Sequence, residues 1–212
     1  MEAPERDALE REIRRHRDGG ELQRATALAI EGYGPEIFGF LVALHRRDDD
    51  AAEVFSSFME KLWRGLPAFE WHCSFRTWAY AIARNVSASY RREARRRARR
   101  QVPLSGWREL SALEQKIRSG TASYLRTQSR TRFAALRESL PPEDQALLML
   151  RVDRQLAWTE LAQVMQAADA PPLDEPMRKR EAARLRKRFQ LIKDKLYALG
   201  RREGLIGPGR DG

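Results

Sequence analysis

The stretch SFRTWAYAIARNVSASYRREARRRARR, which covers residues 74–100, combines an aromatic and aliphatic first half with a second half that is almost solid arginine. Aromatic rings can stack on unpaired bases and guanidinium groups can bind phosphates, so this mixture is typical of nucleic-acid binding. On a helix with about 100° per residue, one side carries a ring, two guanidinium groups and a hydroxyl. We expect this side to be exposed and to face nucleic acid; its members are Tyr80, Arg84, Ser87 and Arg91.

The other side of the same predicted helix is apolar. Phe75, Trp78, Ala79, Ile82, Ala83 and Val86 form one stripe, which predicts a core-facing helix beginning at Ser74 as N-cap. Beyond the stripe, residues 91–100 hold seven arginines and one glutamate. Like charges on adjacent turns destabilise a helix, whereas phosphates would neutralise them. A solvated basic tail is the alternative interpretation of this run.

A second basic helix is predicted from about Glu175 to Leu199, with Asp174 as N-cap and Pro176 in its first turn. Its apolar stripe consists of Leu185, Phe189, Ile192, Leu196 and Leu199, and Arg180, Arg184 and Lys187 project from the other side. Two short apolar helices separated at VDRQ precede it. Helix, tight turn and helix followed by a basic helix is typical of helix-turn-helix proteins that read a major groove. Small three-helix bundles without DNA-binding activity share the pattern.

Composition narrows the class of protein. The 212 residues include 40 Lys and Arg against 30 Asp and Glu, for a net charge of +10, which favours a polyanionic partner. No stretch approaches the roughly 18 apolar residues of a membrane span, so we expect no membrane insertion. The single cysteine, Cys73, suits a reducing cytoplasm. Because phosphate-loop, dinucleotide and zinc motifs are missing from the sequence, we expect no enzyme and no cofactor or metal.

Helix signals dominate, so the predicted fold is all-α: an N-terminal helical bundle and a C-terminal helix-turn-helix joined by a flexible linker. Gly19 and Gly20 end a helix over 6–15, and Gly32 and Gly34 close a second one over 21–31. Pro35 then opens a further helix. Asp48 to Asp50 supply an N-cap and first-turn charge to the next, which ends at Pro67. The predicted domains are 1–97 and 129–204, with the linker over 98–128.

Four segments together resemble the extracytoplasmic-function (ECF) subfamily of bacterial RNA polymerase sigma factors. FRTWAYAIARNVSASYRR resembles the pattern F-x-x-W-L-x-x-I-A-x-N-x-x-x-D-x-x-R, with Ala79 at the usual Leu and Ser89 at the usual Asp. DDAAEVFSSFMEKLW keeps the spacing of the helix that docks on the polymerase clamp. LPPEDQALLMLRVDRQLAWTELA and LRKRFQLIKDKL resemble the two helical segments of the C-terminal domain.

The resemblance implies a cytoplasmic transcription initiation factor that binds core RNA polymerase, through its beta-prime clamp and beta flap, and promoter DNA. A probable anti-sigma factor is a further implied partner. On the clamp side the implied residues are Asp50, Glu53, Ser57 and Glu60. For melting and holding the minus-ten element they are Phe69, Trp71, Tyr80, Arg84, Asn85, Ser87, Arg91 and Arg92. For the minus-thirty-five element they are Arg180, Arg184, Lys187 and Arg188.

The sequence departs from the family pattern at two places. Ser56 and Ser57 replace a Gln-Glu pair on the clamp-facing helix, and more residues than usual separate Ala162 from Leu185. The second departure predicts a recognition helix that begins early and is unusually long. Two other functions stay open: a stand-alone helix-turn-helix regulator, and a protein that binds anionic membrane surfaces through residues 91–100.

Overall fold

The computed structural model describes residues 3–45, 47–97, 132–167 and 170–205. The chain divides into two compact units, 1–125 and 126–212. Within the described ranges the secondary structure is helical and contains no strand, which confirms the all-α fold class. The predicted linker over 98–128 lies outside those ranges, as do the side chains of the arginine run after Glu93.

In the first unit the helix Leu22–His45 is central and contacts each of the other described helices of the unit. Large aromatic side chains fill the space between the helices, among them Phe40, Phe55 and Phe58, which are all almost fully buried. A short 3-10 turn, Leu66–Ala68, follows the third helix. The helices over the described residues of this unit are α1 (Ala3–Asp18), α2 (Leu22–His45), α3 (Asp48–Gly65) and α4 (Phe75–Arg97).

Helix α2 runs without a break through the positions where two helices are expected, so that prediction is wrong. Gly32 does not end a helix; it lets α1 approach, because a Cβ there would lie 2.2 Å from Cδ2 of Leu9. Pro35 is exposed inside the helix. A proline in a helix interior removes one hydrogen bond, and the extensive burial of α2 compensates for that loss.

Helix α2 is also the one described helix that is long and apolar enough to cross a membrane. Of the most apolar 18-residue segment of α2, 56% is buried inside the structure. Burial of this kind is typical of a helix in the core of a bundle, and length and apolar composition alone do not distinguish such a helix from a membrane span.

Side chains from outside the helix cap the start of α4. The Glu10 carboxylate of α1 accepts hydrogen bonds from the amides of Phe75, at 3.0 Å, and Arg76, at 3.1 Å. It also accepts one from the Tyr33 hydroxyl at 3.0 Å. Ser74 Oγ accepts from the Thr77 amide at 3.1 Å, which confirms the predicted N-cap. The first amides of a helix lack partners within it, so these acceptors fix where α4 begins.

The other helix ends agree with the sequence to different degrees. Gly20 has φ +79° directly after α1, as expected for a glycine that ends a helix. At α3 the expectation of an aspartate cap is wrong: Arg47 is the N-cap and makes no side-chain cap bond. Asp48, Asp49 and Asp50 instead lie in the first turn, where they suit the helix dipole.

In the second unit the described residues form three short helices and one long one: α5 (Arg132–Glu138), α6 (Pro142–Val152), α7 (Trp158–Val164) and α8 (Glu175–Arg202). A tight turn in which Gln155 has φ +57° separates α6 from α7. Asp174 accepts from the Met177 amide at 2.7 Å, so the predicted cap and early start of α8 are confirmed. Leu185 and Ile192 of α8 are buried.

Candidate nucleic-acid interface

The face of α4 that was expected to be exposed is partly core. Tyr80 is 0% exposed and its ring lies edge-on to Phe40, with centroids 5.6 Å apart. Ser87 is 1% exposed and its Oγ lies 2.7 Å from Nε2 of His45. The expectation that these two side chains face solvent is therefore wrong. Helix α4 packs against both α2 and α3, so its buried arc is wider than its apolar stripe.

The outward face of α4 is instead formed by Trp78, Asn85, Ser89 and Arg92, which are half-buried or exposed and recur at spacings of seven, four and three. Arg92 Nη2 donates to Ser89 Oγ at 2.9 Å, and Arg84 Nη1 donates to Asn85 Oδ1 at 3.2 Å. This face offers an indole ring, an amide, a hydroxyl and the guanidinium group of Arg92. Helical-wheel reasoning missed Trp78 and Ser89, although both stand at fixed positions of the quoted motif.

Arg91 is partly engaged inside the first unit. Its Nη2 donates to the carbonyl of Leu44 at 3.0 Å, at the C-terminal end of α2, where a positive charge is favoured. Burial and the neighbouring Arg91 charge lower the pKa of His45 to about 4. The His45 ring also lies 5.5 Å, centroid to centroid, from that of Tyr90. A DNA contact by Arg91 stays a prediction.

The loop between α3 and α4, which we call the aromatic loop, holds Phe69 and Trp71 in different surroundings. Phe69 is buried and stacks on Trp78, with ring centroids 4.5 Å apart and an interplanar angle of 17°. Trp71 is half-buried and has φ +61°, a left-handed conformation that bulky residues rarely adopt. Its ring lies beneath the guanidinium groups of Arg14, at 5.6 Å, and Arg17, at 5.9 Å. Phe69 is thus part of the local packing, and Trp71 is the more accessible ring.

The predicted polymerase-binding residues follow one another along α3 at helical spacing: Asp50, Glu53, Ser57 and Glu60. Glu53 and Glu60 are exposed, and Asp50 and Ser57 are half-buried. The Tyr90 hydroxyl of α4 donates to Asp50 at 2.9 Å and to Glu53 at 3.3 Å. Burial and these two acids raise the pKa of Tyr90. Glu60 pairs with Arg64 at 2.8 Å. We name this row of four residues the α3 strip.

Helix α8 presents three of its four predicted DNA-binding residues. Arg180, Arg184 and Lys187 are exposed, and Arg184 lies 3.3 Å from the Glu181 carboxylate on the same helix. Arg188 points elsewhere: its Nε donates to Asp144 of α6 at 2.7 Å. This ion pair holds α8 against α6, so Arg188 has a structural partner that the sequence did not predict.

Comparison with known proteins adds one match. Residues 29–97 match the model of the family described as sigma-70 region 2. A search of curated proteins found no match. The matched segment begins within α2 and includes α3, the aromatic loop and α4, and so it contains the α3 strip and the outward face of α4. In this segment the chain is similar to sigma-70 region 2.

Proposed function

We propose that the protein is an ECF sigma factor, a cytoplasmic and dissociable subunit that gives bacterial RNA polymerase its promoter specificity. The observation that carries the proposal is the sigma-70 region 2 match over 29–97. Two features of the matched segment support it: the acidic α3 strip, and a polar outward face on α4 that includes Asn85 and Arg92. The two surfaces lie on adjacent helices, as simultaneous binding of polymerase and DNA requires.

On the DNA side, the outward face of α4 and the loop before it would hold the opened minus-ten strand. Arg92 and Arg84 suit phosphate contacts, and Asn85 suits a hydrogen bond to a base edge. Tyr80 cannot stack on a base while it remains in the core. Of the three aromatic residues predicted for this role, Trp71 is the candidate for stacking on a base, because its ring is half-buried in a loop rather than enclosed between helices.

On the polymerase side, the α3 strip supplies carboxylates to the beta-prime clamp. Asp50 and Glu53 already accept hydrogen bonds from Tyr90, so their side chains are held in position before any partner arrives. A surface of this kind also suits an anti-sigma factor, which would compete with polymerase for it.

In the second unit, α8 would read the minus-thirty-five element through Arg180, Arg184 and Lys187, with α7 supporting it as in helix-turn-helix proteins. The unusual length of α8, 28 residues, places these cations in its first half. Attachment to the beta flap is part of the same proposal.

Transcription by reconstituted polymerase tests the proposal. The full chain is mixed with bacterial core polymerase and a library of genomic fragments from the source organism, and the transcripts are sequenced. We expect transcripts that start downstream of a shared pair of sequence elements, and co-migration of the chain with core polymerase. Core polymerase without the chain is the control, and a failure to co-migrate would overturn the proposal.

Variants of α4 sharpen the test. Arg92→Ala should weaken open-complex formation and lower the salt slope of DNA binding by roughly one phosphate contact, about 0.7 to 0.9 in log–log slope. Asn85→Ala should reduce open complexes without changing that slope, because an amide carries no charge. Arg24→Ala, an exposed arginine on α2, is the charge-matched control. Equal salt slopes for the Arg92 and Arg24 variants would remove Arg92 from the interface.

A stand-alone helix-turn-helix regulator is the second candidate, and the exposed cations at the start of α8 favour it. This function predicts tight, sequence-specific binding of duplex DNA by the protein alone. A sigma factor is expected to bind specific duplex DNA weakly until polymerase is present. Selection of bound duplexes with and without core polymerase separates the two functions.

A further inference from the structure

Helix α1 precedes the segment that matches sigma-70 region 2, yet it is attached to the aromatic loop of that segment. Arg17 Nη1 donates to the carbonyl of Phe69, a contact that spans 52 residues of sequence. The guanidinium groups of Arg14 and Arg17 both lie over the ring of Trp71. The loop conformation therefore depends on side chains that the family match does not include.

The backbone of Trp71 shows that the loop is held rather than relaxed. A φ of +61° is costly for a residue with a bulky side chain and persists only where surrounding contacts impose it. Here the contacts are the Arg17 bond to Phe69, the two guanidinium groups, and the rings of Phe69 and Phe75 at 4.9 and 6.3 Å. Trp71 Nε1 is buried without a hydrogen-bond partner.

The side chains of Arg14 and Arg17 differ in their exposure to solvent. The Arg17 side chain is 18% exposed and lies 2.5 Å from Asp18, so it is fixed within the structure. The Arg14 side chain is 60% exposed, and its closest carboxylate, also that of Asp18, is 3.8 Å away. The Arg14 guanidinium group thus lies over the Trp71 ring on a side chain that is largely exposed to solvent. The exposed acid nearest in sequence, Glu70, is paired with His72 at 2.9 Å.

We propose that Arg14 and Trp71 together bind the backbone of single-stranded DNA, with Arg17 as the residue that positions Trp71. The site combines a guanidinium group for a phosphate with an adjacent aromatic surface for the neighbouring nucleotide, the two chemistries that bind single strands without reading sequence. It rests on the proposed function and extends the DNA-binding surface from region 2 onto α1.

The test compares two neighbouring arginines. Arg15 lies one position along α1, its side chain is 65% exposed, and it pairs with Glu12 at 2.7 Å instead of contacting Trp71. Binding of the full chain to a fluorescein-labelled single strand of mixed sequence, about 16 nucleotides long, is measured at about 50 to 200 mM salt. Arg14→Ala should weaken binding several-fold and reduce the log–log salt slope by about 0.7. Arg15→Ala should leave both unchanged, and equal effects of the two variants would overturn the proposal.

The positioning role of Arg17 is tested by comparing how tightly its variants bind single-stranded and duplex DNA. Arg17→Ala should weaken single-strand binding more than duplex binding, because it releases Trp71, and Arg17→Lys should restore only the charge. If Arg17→Lys binds the single strand as tightly as the unchanged protein, the positioning role is wrong. Helical content by circular dichroism shows that each variant is folded.

Co-migration with core polymerase is measured separately for every variant. Loss of core binding by the unchanged protein would overturn the proposed function and leave the single-strand data to stand alone. Normal core binding together with identical Arg14 and Arg15 variants would overturn the α1 site and leave the proposed function intact.

Discussion

Helices α4 and α8 have the same design in sequence, a basic helix with one apolar stripe, but the structure uses their charges differently. In α4, Arg76 donates to Glu36 at 2.9 Å and Arg91 donates to a backbone carbonyl of α2, so both are engaged within the first unit. In α8, Arg180 and Lys187 are exposed. The two arginines of α4 are thus used in packing within the first unit, whereas the exposed cations of α8 remain available to a partner.

Removal of a ring from each helix gives the largest expected difference. Tyr80→Ala should lower the free energy of unfolding of the first unit by about 3 to 5 kcal/mol, as for other buried aromatic residues. Tyr197→Ala on α8 is the matched control, and because its ring is exposed it should change stability by about 0.5 kcal/mol or less. Urea unfolding followed by circular dichroism measures both. Equal small effects would mean that the outer face of α4 does include Tyr80.

Acidification should affect the first unit through His45, which contacts α4. Its pKa is about 4 in the folded protein against 6.5 in the unfolded chain, so the unfolded state binds more protons between these values. Stability should therefore fall as pH decreases from 6.5 towards 4, by at most about 1.4 kcal/mol per pH unit. Urea unfolding at a series of pH values measures the slope.

His45→Gln removes this titration, and its stability should change less with pH than that of the unchanged protein. The sequence has three histidines, His16, His45 and His72, all in the first unit, so unfolding of the second unit should show no such contribution. A variant with the same pH slope as the unchanged protein would contradict the role of His45.

The smallest effect distinguishes two arginines of α8. Arg188→Ala breaks the contact with Asp144 and should cost no more than about 1 kcal/mol, because the pair is partly exposed to solvent. Arg184→Ala should leave stability unchanged and lower the salt slope of DNA binding by about 0.9. If Arg188→Ala changed the salt slope of DNA binding but not stability, the ion pair with Asp144 would not contribute to stability. Arg188 would then belong to the DNA-binding face.

Features that depend on neighbouring residues could be predicted from the sequence. The all-α fold class, the cap at Asp174 and the break at Gly20 all follow from local rules of helix initiation and termination. The long α8 was predicted in the same way, from a cap and a proline at its start. None of these requires knowledge of which helix lies beside which.

Features that depend on distant contacts were not predictable in this way. Gly32 is a site of close approach only because Leu9 of α1 lies against it. Ser87 is polar, yet its bond to His45 allows it to be buried. The predicted exposed face of α4 therefore included Tyr80 and Ser87, which are buried because α4 packs against both α2 and α3.

The Glu10 carboxylate has a practical consequence for anyone who shortens the chain. The family match starts at residue 29, but the Glu10 carboxylate accepts three hydrogen bonds, from the Tyr33 hydroxyl and from the amides of Phe75 and Arg76. A fragment that begins at residue 29 would expose the surface of α2 around Gly32 and leave the first amides of α4 without this acceptor. The segment defined by similarity is therefore smaller than the segment that folds, and fragments for expression should start before α1.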